Sequence, residues 1–363
     1  MTLDVRARRA AENIHRAVAV MEMGTMQGPR DLERFHRFRA RKSRNRRIGA
    51  VLVGIAVPLA VIVGAILLSS DPPEVAGRGT QQSLSPSRGK PVFVDLRTGE
   101  ITPLPDSLLA GNYPLETSPF YRASPDGTKL VFEQCCSWPA PTFIANVDGT
   151  SVHRATPAGV DAVGASWSPD GSMLVYQGRD GLNGLGNLFV VDLNTGEVRQ
   201  ITHFRPLRRG WWFMWQSFAP DGSTILFHRP RRHVAPSEQV WDLWSVPLSG
   251  GEPVLVRRNA GFGTYSPDGG TLAYLSPMSS EATGDALWLV DAGGGNPRAL
   301  VEREGLWWPT WSPDGTMIAY ADGTDEIHVV DVATGQSTKV AEGATAEWLD
   351  DHTLIVTPYC CRG

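Results

Sequence analysis

The residues of this chain that could act as nucleophiles, bases or metal ligands form no recognised catalytic motif. The string nearest to a serine-nucleophile elbow, Gly164-Ala165-Ser166-Trp167-Ser168, lacks the second glycine of G-x-S-x-G. The 8 histidines include no H-E-x-x-H pair, and the 4 cysteines include no C-x-x-C pair. The residue pattern therefore favours a protein that is not an enzyme and that binds no cofactor or metal.

Tryptophan is the other residue type that could contact a ligand, and the chain contains 12 of them, partly in clusters. Aromatic side chains can form a ligand platform, although they more often fill a core because they bury a large area. Which role each one has depends on the elements that hold it. The adjacent pairs that we predict to line the mouth of a channel are Trp211, Trp212, Trp307 and Trp308, whereas Trp167, Trp215 and Trp311 are predicted core residues.

A short repeated phrase supplies those elements. At Trp311-Ser312-Pro313-Asp314-Gly315 an aromatic residue precedes a Ser-Pro-Asp-Gly turn, and alternating apolar residues follow. Pro fixes φ at the first turn position, Asp bonds to the backbone ahead and Gly accepts a positive φ, so the phrase predicts a β-hairpin. A single acid in each repeat favours turn formation over calcium binding. The turn aspartates of the repeats are Asp126, Asp170, Asp221, Asp268 and Asp314, and a weaker copy spans 348–356.

A second repeated unit lies between these hairpins and consists of a strand, a turn and a strand. Clear copies are Leu188–Val198 and Ile327–Gln336, and another copy at 92–101 precedes every Pro-Asp-Gly hairpin. The chain of repeats thus opens with one half of a unit and closes with the other half at 347–357. We expect these halves to pair, because pairing would remove an open sheet edge. The repeats recur every roughly 35 to 50 residues, which is typical of propeller blades.

These S-P-D-G-x-x-[LI]-x-[YF] hairpins resemble the repeats of the TolB-type, WD-repeat-like propellers of bacteria, over Pro91 to Pro358. The resemblance implies an all-β fold: a six-bladed β-propeller over 91–363, closed by its N- and C-terminal strands. Similar repeats occur in the propeller domains of prolyl-oligopeptidase-like enzymes, but we expect no hydrolase domain in this protein. The resemblance implies little about activity, since propellers host many unrelated functions.

The N-terminal part differs in composition from the repeats. Residues 1–47 hold about 13 Lys and Arg against about 5 Asp and Glu, and they include two predicted helical stretches. Residues 48–68 are apolar and uncharged, which predicts one transmembrane helix rather than the alternative, a cleaved signal peptide. The basic flank places 1–47 in the cytoplasm and the repeats outside the cell membrane. Residues 69–90 are rich in Ser, Pro and Gly and predict a flexible linker.

All cysteines fall on the predicted outer side, where disulfides persist. They form two adjacent pairs, and each pair follows the second strand of a hairpin in what would be the first and last blades. We predict at least one bridge between the pairs; two vicinal disulfides, or free thiols at a metal site, remain alternatives. The four candidate residues are Cys135, Cys136, Cys360 and Cys361.

Taken together, these features predict a membrane-anchored, non-catalytic propeller outside the cytoplasm that acts as a binding scaffold or sensor. Its expected partners are the membrane, through a single span, and a protein outside the membrane, and the basic tail could meet a further partner in the cytoplasm. The basic run at 39–47 is predicted to flank the membrane rather than to bind nucleic acid. The alternative from another class is an enzyme, lactonase- or cyclase-like, with a metal held in the lumen by residues of several blades.

Overall fold

The computed structural model describes residues 90–109, 120–133, 141–157, 160, 162–179, 185–204, 215–231, 240–277 and 284–358. All of them belong to one compact unit. The predicted segments 1–47 and 48–68, nearly all of the linker 69–90, the four cysteines, and Trp211 and Trp212 lie outside the described residues. Among the residues that are described, no helix is long and apolar enough to span a bilayer.

The described chain forms an all-β, propeller-like fold in which each strand pairs antiparallel with its neighbours. It begins with two strands and one short helix, which are β1 (Val92–Asp95), β2 (Ile101–Pro103) and α1 (Asp106–Leu109). Three four-stranded sheets follow in chain order. The first contains β3 (Phe120–Ala123), β4 (Lys129–Glu133), β5 (Thr142–Asn146) and β6 (His153–Arg154). The second contains β7 (Ala162–Trp167), β8 (Met173–Arg179), β9 (Leu185–Asp192) and β10 (Val198–Gln200). The third contains β11 (Gln216–Phe218), β12 (Thr224–Pro230), β13 (Trp241–Pro247) and β14 (Val254–Arg257).

A seven-stranded sheet comes next and is divided by one long strand. Its strands are β15 (Gly261–Tyr265), β16 (Thr271–Leu275), β17 (Gly284–Asp291), β18 (Arg298–Trp311), β19 (Met317–Ala321), β20 (Glu326–Asp331) and β21 (Ser337–Glu342). Strand β18 has 14 residues. Its first part pairs with β17, and its last part, from Trp307 to Trp311, pairs with β19. The sheet therefore consists of two groups of four strands that share β18.

The two ends of the repeat region lie in one sheet. Strands β22 (Thr345–Trp348) and β23 (Thr353–Thr357) complete the chain, and the order of this sheet is β2-β1-β23-β22. Val94 of β1 is paired with Leu354 of β23, and both side chains are buried. This is the pairing of first and last strands that the offset of the repeats predicts.

The strands that open each Ser-Pro-Asp-Gly hairpin contact one another in a closed cycle. Strand β3 contacts β7, β7 contacts β11, β11 contacts β15, β15 contacts β18, β18 contacts β22, and β22 contacts β3. Apolar clusters lie between adjacent sheets; one of them joins Val175 and Leu188 to Ile225 and Phe227 of the next sheet. The second strand of each hairpin is buried on both faces, which explains its continuous apolar run.

The Ser-Pro-Asp-Gly turns are built alike. In the turn between β7 and β8, Asp170 Oδ1 accepts hydrogen bonds from Ser168 Oγ at 2.6 Å and from the Ser172 amide at 3.0 Å. Ser168 Oγ in turn accepts the Met173 N–H at 2.9 Å. Gly171 has φ of +70°, where a Cβ would be strained. The aspartates 126, 268 and 314 accept the equivalent bonds from the serines at 124, 266 and 312.

Candidate functional site

One position in each repeat lies at the centre of the cycle of strands. It is the fourth residue before the serine of the turn, or before the residue that replaces that serine. Its occupants all line a single pocket, which we call the central pocket: Phe120, Gly164, Trp215, Phe262, Trp308 and Thr345. The repeat therefore brings residues that are far apart in sequence to one place.

Local backbone geometry turns these side chains inward. In β7, β15 and β18 the register shifts at this position, which is typical of a β-bulge. Gly164 has φ of +70° there, Phe262 has +52° and Trp308 has +49°. A positive φ is uncommon for an aromatic residue, and such strain often marks a functional site. The bulge thus re-aims Phe262 and Trp308 towards the central pocket.

The aromatic rings of the pocket contact one another across the cycle. Trp308 lies 4.6 Å from Phe120 and 5.4 Å from Trp215, measured between ring centroids, and the two indoles are nearly parallel. Trp215 also lies 5.9 Å from Phe262. These side chains come from four different sheets or parts of sheets, so the pocket has a continuous aromatic wall.

One cation and two carboxyl groups complete the pocket. The guanidinium carbon of Arg122, in β3, lies 3.5 Å from the ring centroid of Trp215, which is a close cation–π contact. Glu133 of β4 accepts the Gly164 N–H on both carboxyl oxygens at 2.7 Å. Glu347 of β22, in the last hairpin of the chain, also lines the pocket. Charged groups from the first and last hairpins thus meet at one place.

The environment of these carboxyl groups changes their ionisation. Burial raises the pKa of Glu133 to about 7, although the Gly164 N–H and the charge of Arg122 oppose the shift. Burial also raises the pKa of Glu347 to about 7, again against the charge of Arg122. Burial lowers the pKa of Arg122, whereas attraction to Glu347 and Glu133 raises it. Burial therefore favours the neutral form of both carboxyl groups beside the Arg122 cation.

The structure places the tryptophans predicted from the sequence in different roles. Trp308 lines the central pocket, while its neighbour Trp307 packs against two core clusters. Trp167 and Trp311 are buried, and their indole N–H groups donate to carbonyl oxygens of the preceding repeat, those of Arg122 and Thr264. Trp215, predicted as a core residue, packs against a core cluster and also lines the central pocket.

The predicted turn aspartates lie away from the pocket, in the hairpin turns. Sequence analysis missed Arg122, Glu133 and Glu347. Two of these residues could have been found by aligning the repeats on the turn serine. Arg122 and Glu347 then occupy the same position, two residues before that serine or its replacement, where the other repeats have Ser or Thr.

A second cluster of ionisable groups lies outside the central pocket. Asp322, Glu326 and His328 form the one group of three potential metal ligands among the described residues. Their atoms already have partners, since Arg303 lies 2.8 Å from Asp322 and Lys339 lies 2.8 Å from Glu326. The arrangement is an ion-pair network that joins β18, β20 and β21. It gives no support to the alternative of a metal in the lumen, which stays a prediction.

Comparisons of the sequence match only part of this chain. No family model matches it. A curated relative, an uncharacterized protein of Agrobacterium fabrum, is 28% identical over 137 residues, which cover 35% of this chain and 42% of that protein's length. The chain thus matches less than half of this relative.

Solved structures resemble the chain over a longer range. A putative TolB from Agrobacterium tumefaciens superposes with a TM-score of 0.59 at 16% identity, covering 74% of this chain and 97% of that one. TolB from Acinetobacter baumannii gives a TM-score of 0.50 at 15% identity, covering 74% and 63%. An oligogalacturonate lyase in complex with manganese gives 0.45 at 21% identity, covering 64% and 68%. The likeness to the two TolB structures supports a propeller fold, and at these identities it carries no information about activity.

Proposed function

We propose that this protein is a non-catalytic binding module that receives part of a partner molecule in its central pocket. The observation that supports the proposal most strongly is the pocket itself. It combines a wall of four aromatic rings from four repeats with one cation and two carboxyl groups from the first and last hairpins. Apolar walls with a few convergent polar groups are typical of binding sites.

The size of the pocket suits a small group at the end of a larger ligand. The space that water-sized groups can occupy is about 50 Å³, whereas one water needs roughly 10–15 Å³ on this measure. The pocket therefore takes a few waters, one side chain or a chain end. The partly buried rings of Phe120 and Trp308 would contact the rest of the ligand.

We further propose that the fold is a six-bladed propeller. The closed cycle of contacts among β3, β7, β11, β15, β18 and β22 supports this number. On this view the seven-stranded sheet counts as two blades that share β18, and the sheet of β2, β1, β23 and β22 closes the ring.

The placement of the module is also a proposal. The apolar residues 48–68 and the basic flank 1–47 support a single-pass anchor with the N-terminus in the cytoplasm, a linker over 69–90 and the propeller outside the cell membrane. A protein outside the membrane is then the expected partner of the pocket. A partner in the cytoplasm would bind the basic tail.

Photocrosslinking from the aromatic wall of the pocket tests this function. The full chain is expressed with benzoylphenylalanine in place of Phe120, and carbonate-washed membranes are irradiated. We expect the chain to stay in the membranes and to form one covalent adduct of defined mass. The adduct should be lost in Trp308→Gly, which removes one aromatic wall. Glycine suits the positive φ of this position and is native at the equivalent position 164.

The matched control is Val254→Ala, which truncates an exposed apolar side chain on β14. This variant should keep the adduct. An adduct that forms equally with and without Trp308, or no adduct at all, would contradict the proposal. Turnover of lactone or pyrophosphate substrates by the purified chain, abolished by a chelator, would favour the enzyme alternative.

A further inference from the structure

The central pocket contains a cation without a hydrogen-bond acceptor. Arg122 has five N–H donors in a rigid fork, and its guanidinium group forms no hydrogen bond with any residue that the structure describes. Nη2 is buried as well as unpartnered. A buried donor left without an acceptor destabilises the folded protein, and more so when it is charged. No residue that the structure describes satisfies this donor.

Neither nearby carboxyl group completes it. Glu133 directs both oxygens to the Gly164 N–H and is thus engaged with the backbone of the next repeat. Glu347 has no hydrogen-bond partner among the described residues and forms no ion pair with Arg122. The two glutamates attract the guanidinium through space only.

We propose that the central pocket binds a carboxylate group, which Arg122 holds through the N–H edge of its guanidinium. The inference deepens the proposed function and rests on it, since it names the chemical group that the pocket receives. A planar carboxylate matches the guanidinium fork and accepts two parallel hydrogen bonds. The contact with Trp215 holds the guanidinium carbon 3.5 Å from the ring centroid, and the hydrogen bonds to the ligand would come from the N–H groups of the guanidinium.

A cationic ligand suits the pocket less well. Aromatic walls beside carboxylates can bind ammonium groups by cation–π contacts. Here, however, the Arg122 guanidinium already covers Trp215, at 3.5 Å from the ring centroid. A second cation at the same wall would meet a like charge. The aromatic rings of Phe120 and Trp308 instead offer an apolar surface for the group that carries the carboxylate.

Binding of a carboxylate should be coupled to proton uptake. The charged and titratable groups that face the bound carboxylate are Arg122 of β3, Glu133 of β4 and Glu347 of β22. An incoming negative charge disfavours ionisation of both glutamates and so shifts each of them towards the protonated form. Since their pKa values lie at about 7 in the free protein, binding should weaken as the pH rises from 6 to 8.

The carboxylate can come from a small free acid or from a protein chain, and two kinds of probe distinguish these sources. The small probe is fluorinated phenylacetate, compared with its neutral amide. The chain probe is a short peptide with a fluorinated C-terminal phenylalanine as the free acid, compared with its C-terminal amide. Binding to the purified full chain in detergent is followed by fluorine NMR.

We expect a free acid to bind at least tenfold more tightly than its amide. If both acids bind, with the peptide the tighter, the ligand is a chain end; a preference for phenylacetate indicates a free acid. Arg122→Gln should weaken acid binding at least tenfold. Glu347→Gln should strengthen it severalfold at pH 8 and reduce its pH dependence, which makes it a second variant whose effect has the opposite sign.

Two results would overturn the inference. One is that a fluorinated phenylethylamine binds and loses affinity in Glu347→Gln but not in Arg122→Gln, which would make the pocket a cation site. The other is that neither variant changes acid binding, or that no acid binds. If no acid binds while the adduct at position 120 still forms, the carboxylate inference fails and the proposed binding function stands.

Discussion

Single residues decide what the centre of this fold can bind. Four of the six equivalent positions that face the central pocket are aromatic, whereas the other two are Gly164 and Thr345. Phe262 and Trp308 keep a positive φ at which glycine is favoured. The positive φ of these two residues lowers the local stability of the backbone, and strained residues of this kind are common at binding sites.

The buried Glu133 should make the stability of the protein depend on pH. Its pKa is raised to about 7 by burial, above the pKa of a glutamate in the unfolded chain, so the folded state binds the extra proton. Stability is then greatest below the unfolded pKa and falls as the pH rises towards 7 and beyond. We expect Glu133→Gln to reduce the loss of melting temperature between pH 5 and pH 8, because the amide oxygen can still accept the Gly164 N–H.

Thermal unfolding of the full chain, followed by fluorescence at both pH values, measures this effect. Glu197→Gln is the control, since Glu197 is an exposed glutamate in the turn between β9 and β10, and it should leave the loss unchanged. An equal loss in the wild type and in Glu133→Gln would show that Glu133 titrates normally.

The sequence predicted the turns and strands better than the pocket, for a physical reason. Ser-Pro-Asp-Gly turns depend on the local conformational preferences of four residues, which any single copy displays. The role of Arg122 depends on Trp215, which comes from another sheet and approaches only when the chain folds. The contribution of Trp215 to the pocket was missed for the same reason, since Trp215 contacts Arg122 and Trp308 of other sheets.

At the scale of elements, the turns offer a natural comparison. Asp170 accepts hydrogen bonds from the hydroxyl groups of Ser168 and Ser172. Asp221 accepts the bond from Ser223, but Ala219 stands where the first serine would be. The hydrogen bond from Ser168 is the main cause that lowers the pKa of Asp170. The two turns thus differ by one buried hydroxyl group.

We expect Asp170→Ala to destabilise the protein by about 1 kcal/mol more than Asp221→Ala, because it also leaves the Ser168 hydroxyl without its acceptor. Melting temperatures of the two variants at pH 7 provide the measurement. The difference should shrink as the pH falls below the pKa of Asp170, which lies under its usual value. Ala219→Ser should restore the missing bond and raise the melting temperature. Equal losses in both aspartate variants would argue against this role of the serine.

At the scale of the whole molecule, the first and last hairpins are neighbours. Leu130 of β4 and Ile355 of β23 pack in one apolar cluster with Tyr121. The offset of the repeats predicted that terminal strands would pair, and β1 pairs with β23. The pairing of the terminal strands could be predicted from the sequence, because the repeats begin with one half of a unit and end with the other half. The contents of the central pocket depend on one side chain in each repeat and could not.

The last prediction follows from this neighbourhood and concerns the four cysteines. Cys135 and Cys136 follow β4, and Cys360 and Cys361 follow β23, in sheets whose apolar faces share a cluster. We expect at least one disulfide between the two pairs, which would close a loop of more than about 200 residues and stabilise the folded state by about 5 kcal/mol through chain entropy.

Peptide mapping without reduction, on protein from native membranes, tests the connectivity. The double variant Cys360→Ser, Cys361→Ser should lower the melting temperature, whereas under reducing conditions it should melt like the wild type. Fragments in which Cys135 is bonded only to Cys136, or four cysteines open to alkylation, would refute the bridge, because the ring of repeats would then be held by the β1–β23 pairing and its core alone.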